Sequence, residues 1–227
     1  MVVPQPRSVA LAQLAAEIEG CRACPRLVAW REEVAVQKRA SFAAERYWGR
    51  PVAGFGDPAA RLAVVGLAPA AHGANRTGRV FTGDRSGDWL FAALFRAGYA
   101  NQARSVGRDD GLELTGAWVS AAVRCAPPAN KPTPAERDRC SRFLDEELVL
   151  LDQVKVIVAL GQFACAALAV HFDLRPRPRF GHLAEHALPG DRVLVCSYHP
   201  SQQNTFTGTL TEAMFDAVFT RARALGA

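Results

Sequence analysis

Apolar residues in this chain fall into two spacings. Short unbroken runs, Leu62-Ala-Val-Val65, Val156-Ile-Val-Ala-Leu160 and Val193-Leu-Val-Cys196, carry apolar side chains on both faces, as strands covered on both sides of a parallel sheet do. They predict strands near 61–66, 154–160 and 192–197, and the stretch 115–123 reads as a fourth. Between them the apolar positions recur at helical spacing, near 8–19, 87–98, 134–151, 161–172 and 209–225. Thr133-Pro134-Ala-Glu136 opens one of these segments with a threonine N-cap, a proline at the first helical position and a glutamate placed to close a capping box. Strands alternating with helices predict an α/β fold, a parallel sheet with helices on both faces. The region 25–60 is less regular, and Arg175-Pro-Arg-Pro-Arg179 starts a basic loop over 175–190. No repeat, low-complexity tract or long linker interrupts the alternation, so residues 1–227 read as a single domain.

Two polar loops follow predicted strands. The first runs Gly66-Leu-Ala-Pro-Ala-Ala-His72-Gly-Ala-Asn75-Arg76-Thr-Gly-Arg-Val-Phe81-Thr-Gly-Asp84, and the second Ser197-Tyr-His199-Pro-Ser201-Gln202-Gln203-Asn204-Thr205. In open α/β sheets ligands bind beyond the carboxyl ends of the strands, and both loops belong to that edge. Glycines let the backbone approach a ligand. Serine hydroxyls and backbone amides suit phosphate oxygens. His199 stands out because proline follows it in a rigid polar loop, and His72 shares the first loop. His171, His182 and His186 lack such surroundings and read as solvated or satisfied in the core.

Composition bounds this picture only loosely. A hydrophobic share of 49% and a charged share of 22% are ordinary for a globular protein. The net charge of +5 favours a polyanionic partner without requiring one. Val156–Val170 comes nearest to a membrane span, but Gly161-Gln162 splits it into strand and helix, and Met1-Val-Val-Pro-Gln-Pro-Arg7 has no signal-peptide apolar core. A cytoplasmic protein without a membrane segment is expected. In that compartment six cysteines suggest metal or redox chemistry rather than disulfides. Cys21-Arg-Ala-Cys24 followed by Pro25, together with Cys125 and Cys140, suits a four-cysteine zinc site or a [4Fe–4S] cluster equally well on spacing. Cys165 and Cys196 read as small buried hydrophobes.

The residues Gly66-Leu-Ala-Pro69 to Phe81-Thr-Gly-Asp84 and Ser197-Tyr-His-Pro-Ser201-Gln-Gln-Asn204-Thr resemble the two active-site motifs of the uracil-DNA glycosylase superfamily. The four cysteines, with His72-Gly-Ala-Asn75-Arg-Thr-Gly, are similar to its iron–sulfur branch, family 5 or type b. The resemblance runs from Cys21 to the last helix. It implies a three-layer α/β/α sandwich around a four-stranded parallel sheet, and a structural [4Fe–4S] cluster on Cys21, Cys24, Cys125 and Cys140. It also implies hydrolysis of the N-glycosidic bond of a damaged base in double- or single-stranded DNA, by a monomer.

A base must leave the duplex to reach such a site. The resemblance makes Phe81 the ring on which it stacks, with the backbone of Gly66 and Ala68 alongside. His199 is expected to bond the base's carbonyl oxygen as negative charge builds there. The segment Leu67–Ala71 carries no side chain able to orient water, so Asp84 is the expected carboxylate, with capping of a helix near Ser86 as its other role. Asn75 is a second water- or base-positioning candidate, and Asn204 is expected near the base or sugar. Ser197, Ser201, Gln202, Gln203 and Arg76 are expected to meet DNA, with Arg79, Arg85, Arg124 and Lys131 as further basic candidates and a glutamine of 202–203 filling the gap left by the extruded base. Ala121 stands where uracil-specific relatives place asparagine, which implies a broader range of bases. The bare Leu67–Ala71 segment keeps a second reading open, a non-catalytic, metal-stabilised nucleic-acid-binding protein, and a third, a redox or electron-transfer iron–sulfur protein, is disfavoured because one four-cysteine site accompanies two elaborate polar loops.

Overall fold

In the computed structural model, which describes residues 5–227, six strands form one sheet: β1 (Phe55–Gly56), β2 (Leu62–Gly66), β3 (Ala117–Ala121), β4 (Val156–Leu160), β5 (Glu185–Leu188) and β6 (Arg192–Ser197). Their order is β1-β3-β2-β4-β6-β5. The four central strands are parallel, as expected, while β1 pairs antiparallel with β3 and β5 with β6. The sheet is therefore six-stranded and mixed, not four-stranded and parallel throughout. Its edge strands escape a search for apolar runs for a physical reason. An edge strand is not sandwiched on both sides: β1 is two residues long, and in β5 only Leu188 is buried. Met1–Pro4, the start of the segment read above for a leader, lies outside the described residues.

Eight helices surround the sheet: α1 (Arg7–Gly20), α2 (Pro25–Gln37), α3 (Ala74–Thr77), α4 (Arg85–Arg96), α5 (Pro134–Leu150), α6 (Gln162–His171), α7 (Gln202–Phe206) and α8 (Glu212–Ala224). Alternation along the strands assigns each side chain to a layer. Val64, Val119, Val158 and Val195 face Leu90, Phe91 and Leu94 of α4 and Phe215, Val218 and Phe219 of α8. Ala63, Val65, Ile157, Ala159, Leu194 and Cys196 face α5 and α6 through Leu144, Leu148, Ala164 and Leu168. This is the expected three-layer sandwich, dry on both faces. The capping box forms as read: Thr133 Oγ1 accepts from the Glu136 amide at 3.2 Å, and the Glu136 carboxylate accepts from the Thr133 amide at 2.8 Å.

The irregular region 25–60 conceals α2. Its buried positions are Leu27, Val28, Arg31 and Val34, a helical stripe with an arginine inside it. Arg31 is 2% exposed and bonds the Cys21 carbonyl and the Cys125 sulfur, so a charged residue occupies a core position and breaks the apolar pattern. Among the described residues no helix is long and apolar enough to cross a membrane. Because β2, β4 and β6 are parallel, their carboxyl ends at Gly66, Leu160 and Ser197 share one edge of the sheet, and the loops that follow them meet there.

Candidate active site

Gly66 ends β2, and its place is explained by contact. A Cβ there would sit 2.5 Å from Cζ and 2.6 Å from Cε2 of Phe81, so the ring rests directly on the glycine backbone. Phe81 itself has φ 53°, the left-handed region that aromatic residues seldom occupy. That backbone turn throws the ring back towards the sheet, opposite His199, with ring centroids 5.9 Å apart and planes 29° from parallel. On the other side Gly161, at φ 91°, leaves its missing Cβ 3.3 Å from the Cβ of His199. The His199 carbonyl accepts from Asn204 Nδ2 and from the Ser201 amide, both at 2.8 Å, so the loop holding the imidazole is tied at its own backbone. Burial lowers the imidazole's pKa to about 4, which leaves it neutral near pH 7.

These two rings belong to a cavity of about 640 Å³. Leu67, Ala68, Ala70, Ala71 and Val80 make an apolar wall, while Asp84, His199, Arg39, Arg85 and Asn130 supply polar groups. Asp84 is the N-cap of α4, its Oδ1 accepting from the Gly87 amide at 3.0 Å. Its other oxygen presses on Gly73, where a Cβ would lie 2.1 Å away. Desolvation pushes the carboxyl's pKa up, against the amides of Gly87 and Ser86; Asp88 raises it further and Arg76 opposes. Capping and exposure to the cavity therefore coexist in one side chain. His72 also lines the cavity, its Nδ1 3.0 Å from the Tyr47 hydroxyl. Ser201, Gln202 and Gln203 line the cavity as well, the two glutamines exposed and Ser201 capping α7 through the Asn204 amide.

Several expected roles are redirected by the geometry. Gly66 does not line the cavity; it seats Phe81. Asn75 is fully buried and outside the cavity wall, with Nδ2 donating to the Arg31 carbonyl at 3.1 Å, so it joins α2 to the first loop, while its Oδ1 has no hydrogen-bond partner among the described residues. Asn204 supports His199 and lines a neighbouring groove. Ser197 is fully buried, its hydroxyl donating to the Tyr198 carbonyl at 3.0 Å, out of reach of a phosphate. Arg76 braces the first loop, donating to the His72 carbonyl at 2.8 Å and the Gly83 carbonyl at 3.0 Å, and it pairs with Glu45 over the Phe42 ring. Arg79 and Arg124 are core residues, bound to Asp110 at 2.6 Å and Glu147 at 2.7 Å. Arg85 bonds Thr205 Oγ1 at 3.2 Å and stacks 4.2 Å from the Phe206 ring centroid. Ala121 is buried in the α4–α8 layer away from the cavity, so it opens no space for a base. His171, His182 and His186 sit at Asp145, the Met214 carbonyl and the Arg179 carbonyl, as satisfied side chains do.

Arg39, Phe42 and Asn130 line the cavity without having drawn attention in the sequence. Asn130 has φ 55° in a loop ringed by Pro127, Pro128 and Pro132. An asparagine in a proline-stiffened loop just after a cysteine was the available signal.

The four cysteines come together on the far side of the same loops. Cys21 ends α1, Cys24 caps α2, Cys125 follows β3 and Cys140 lies in α5, and all four line one void of about 20 Å³. Arg31 Nη1 donates to Cys125 Sγ at 3.1 Å, and the Arg124 amide to Cys140 Sγ at 3.4 Å. Burial pushes the Cys125 thiol up to about 12 and raises Cys140 as well. Such donors suit thiolates held by a positive centre better than neutral thiols. Among the described residues no group of three or more His, Cys, Asp or Glu side chains, these cysteines included, stands close enough together to hold a single metal ion. Cys165 and Cys196 pack into the α5–α6 layer, sulfur to sulfur at 3.1 Å, as small buried side chains.

The family model "Uracil DNA glycosylase superfamily" matches residues 53–223, which hold the first loop, the His199 loop and every cavity-lining residue except Arg39 and Phe42. The chain belongs to the uracil DNA glycosylase superfamily. Its relatives include a type-5 uracil-DNA glycosylase of Mycobacterium tuberculosis, 56% identical over 95% of this chain and 81% of that protein. One of Thermus thermophilus is 55% identical over 92% of this chain and 94% of its own length. One of Pyrobaculum aerophilum is 46% identical over 90% and 88%. The match to type-5 members extends beyond the family model, since coverage of this order takes in the N-terminal helices as well as the sheet.

Proposed function

We propose that this chain is a monofunctional DNA glycosylase that hydrolyses the N-glycosidic bond of uracil in DNA and leaves an abasic site. The observation that carries the reading is the cavity in which Phe81, His199 and Asp84 face one space. An extruded base lies flat on Phe81, because the ring is clamped from beneath by Gly66. The bond breaks as the sugar takes on oxocarbenium character and the base gains negative charge. His199, neutral by burial, still carries one ring N–H, which it donates to the base's carbonyl oxygen as negative charge builds there. Asp84 in its ionised form orients the attacking water and stabilises the cationic sugar; its partial desolvation strengthens both effects. The positive end of α4 holds the carboxylate in place from behind.

A broad range of excised bases accompanies this reading. The wall from Leu67 to Ala71 offers no side-chain donor or acceptor, so that side of the cavity makes no hydrogen-bond demand on the edge of a base. Uracil, hydroxymethyluracil, ethenocytosine and hypoxanthine are the expected substrates. Cys21, Cys24, Cys125 and Cys140 would hold a [4Fe–4S] cluster. When bound, that group supplies cross-linking of α1 and α2 to β3 and α5, not chemistry. The amide and guanidinium donors at Cys140 and Cys125 support the fit, and the choice of cluster over zinc rests on family likeness. The protein acts as a single-domain monomer on DNA.

Incubation with an oligonucleotide carrying one uracil, followed by alkali, tests the reading. Strand cleavage at the uracil is expected, absent in His199→Ala and strongly reduced in Asp84→Asn. Binding without cleavage at any deaminated base would return the protein to the class of non-catalytic nucleic-acid binders. Purified protein is expected to be brown, with iron and acid-labile sulfide in equal amounts.

A further inference from the structure

Beside the cavity, and sharing Leu67 and His199 with it, a second groove of about 250 Å³ opens at the same sheet edge. Phe163 from the first turn of α6, Phe180 from the basic loop and Tyr198 give it aromatic walls, and Gln162 and Asn204 bring amide groups. Phe180 and Tyr198 meet at a tilt of 48° with centroids 6.1 Å apart, and Tyr198 also rests against His182, centroids 5.2 Å apart and planes 32° from parallel, so Phe180 is the ring without a near-parallel partner. All three rings are half-buried, open on one side. The excision chemistry uses none of them. The segment leading into Phe180 carries Arg175, Arg177 and Arg179, all exposed. Arg175 pairs with the exposed Asp173, and among the described residues Arg177 and Arg179 form no ion pair.

Flat apolar walls, amide groups and a row of free cations match one ligand chemistry in particular, a single strand of nucleic acid, whose bases stack and whose phosphates are paired. A lipid chain would use the walls and leave Gln162 and the arginines without partners, and an acidic peptide would use the arginines and leave the rings uncovered. We infer that the groove holds an unpaired base directly flanking the nucleotide whose base enters the cavity, stacked on Phe180 and Tyr198, with Arg177 and Arg179 on phosphates of the same strand. The inference rests on the glycosylase reading of the neighbouring cavity. A base that remains paired stays in the duplex stack and does not reach a concave groove, so the site serves single-stranded DNA. It makes the protein a better enzyme on exposed single strands than the cavity alone would.

Single-turnover excision, titrated with full-length protein against a single-stranded oligonucleotide with one uracil, gives a half-saturating concentration and a limiting rate. Phe180→Ala and Phe180→Leu are expected to raise the former about tenfold, the size of one lost stacking contact, with the limiting rate unchanged. Phe180→Leu keeps apolar packing against the core and removes only the aromatic face. Replacing the flanking base on one side by a tetrahydrofuran spacer is expected to weaken the wild type equally and to abolish its advantage over both variants. On a duplex substrate variants and wild type are expected to coincide. Arg177→Ala combined with Arg179→Ala should reduce the slope of log affinity against log salt by about 1.4 on single strands. Wild-type behaviour of Phe180→Leu on the single strand, or a loss that is the same with spacers or with duplex, overturns the inference. A wild type that excises no uracil from either substrate is a different failure, and it removes the glycosylase reading itself.

Discussion

At Asp84 the start of α4 requires an acceptor, and the cavity surrounds that acceptor with little water. The folded carboxyl therefore titrates above its ordinary value, with desolvation the main cause. The folded chain holds the proton more tightly than the unfolded one, so this group's favourable contribution exists at low pH and is lost as pH rises from 3.8 through the folded pKa. Asparagine keeps a cap of nearly equal quality and removes the charge. Asp84→Asn is expected to melt at or above the wild-type temperature at pH 7.5 while excision falls by about 100-fold or more; a lower melting temperature would contradict a strained, functional carboxylate. His199 titrates in the opposite sense. Its folded pKa of about 4 lies below the unfolded 6.5, so the stability tied to the neutral ring is complete above pH 6.5 and is lost as pH falls towards 4. The full difference amounts to about 3 kcal/mol. His199→Phe keeps a ring opposite Phe81 and cannot be protonated, so urea denaturation of wild type and variant from pH 7 to pH 4 should show the wild type losing ground steadily.

Among the elements, the buried ion pairs decide which arginines are structural. Arg124 and Glu147, 1% and 3% exposed, join the end of β3 to α5, with Ser120 bonded to both. Removing one partner strands the other's charge in the core, a loss of about 3–5 kcal/mol. Arg124→Ala is expected to lower the denaturation midpoint by that order and leave the salt dependence of DNA binding unchanged in whatever fraction stays folded. A phosphate-binding arginine would show the reverse. Asp110, held at about 2 because Arg79 and three backbone amides outweigh its desolvation, contributes stability that is present above pH 3.8 and lost as pH falls towards 2. The elements that could be read in the sequence are those whose pattern is purely apolar: the four central strands and the helices covering them. Helix α2 was missed because Arg31 sits in its buried stripe, and the edge strands because one neighbour is enough to form them. In the candidate site, the two loops that carry Phe81, Asp84 and His199 were legible from glycines and proline around polar residues at a strand end, while the stacking role of Phe81 came from the family resemblance. The burial of Asn75, Ser197, Arg79 and Arg124 was not, because a polar side chain bonded inside the core has the same letter as one facing DNA.

On the scale of the whole molecule, the four cysteines draw on the N-terminal helices, the loop after β3 and α5, and so connect segments far apart in the chain. Arg31 and Arg124 add buried polar links in the same place. A cluster held by these four cysteines would make folding of this corner conditional on the metal, and its loss would free one buried and three half-buried thiols together. Oxidative removal of iron is expected to lower the melting temperature and to make the chain susceptible to proteolysis near residues 21–25 before the sheet is cut. The absorbance band and the cut site can be followed in the same sample. Equal protease resistance with and without iron would place the cluster outside the fold's stability.

The contact between Gly66 and Phe81 also limits how this protein can change over generations. Any carbon added at position 66 lands in the phenyl ring, so every single-base change in that codon that alters the amino acid moves the surface on which substrate rests. Position 67 lies where the cavity and the neighbouring groove meet, and both spaces border its side chain. In a saturation library selected for repair in a uracil-accumulating host, position 66 is expected to return glycine alone, while position 67 accepts several apolar residues. One backbone atom against one ring makes position 66 a fixed point around which the rest of the pocket is free to drift.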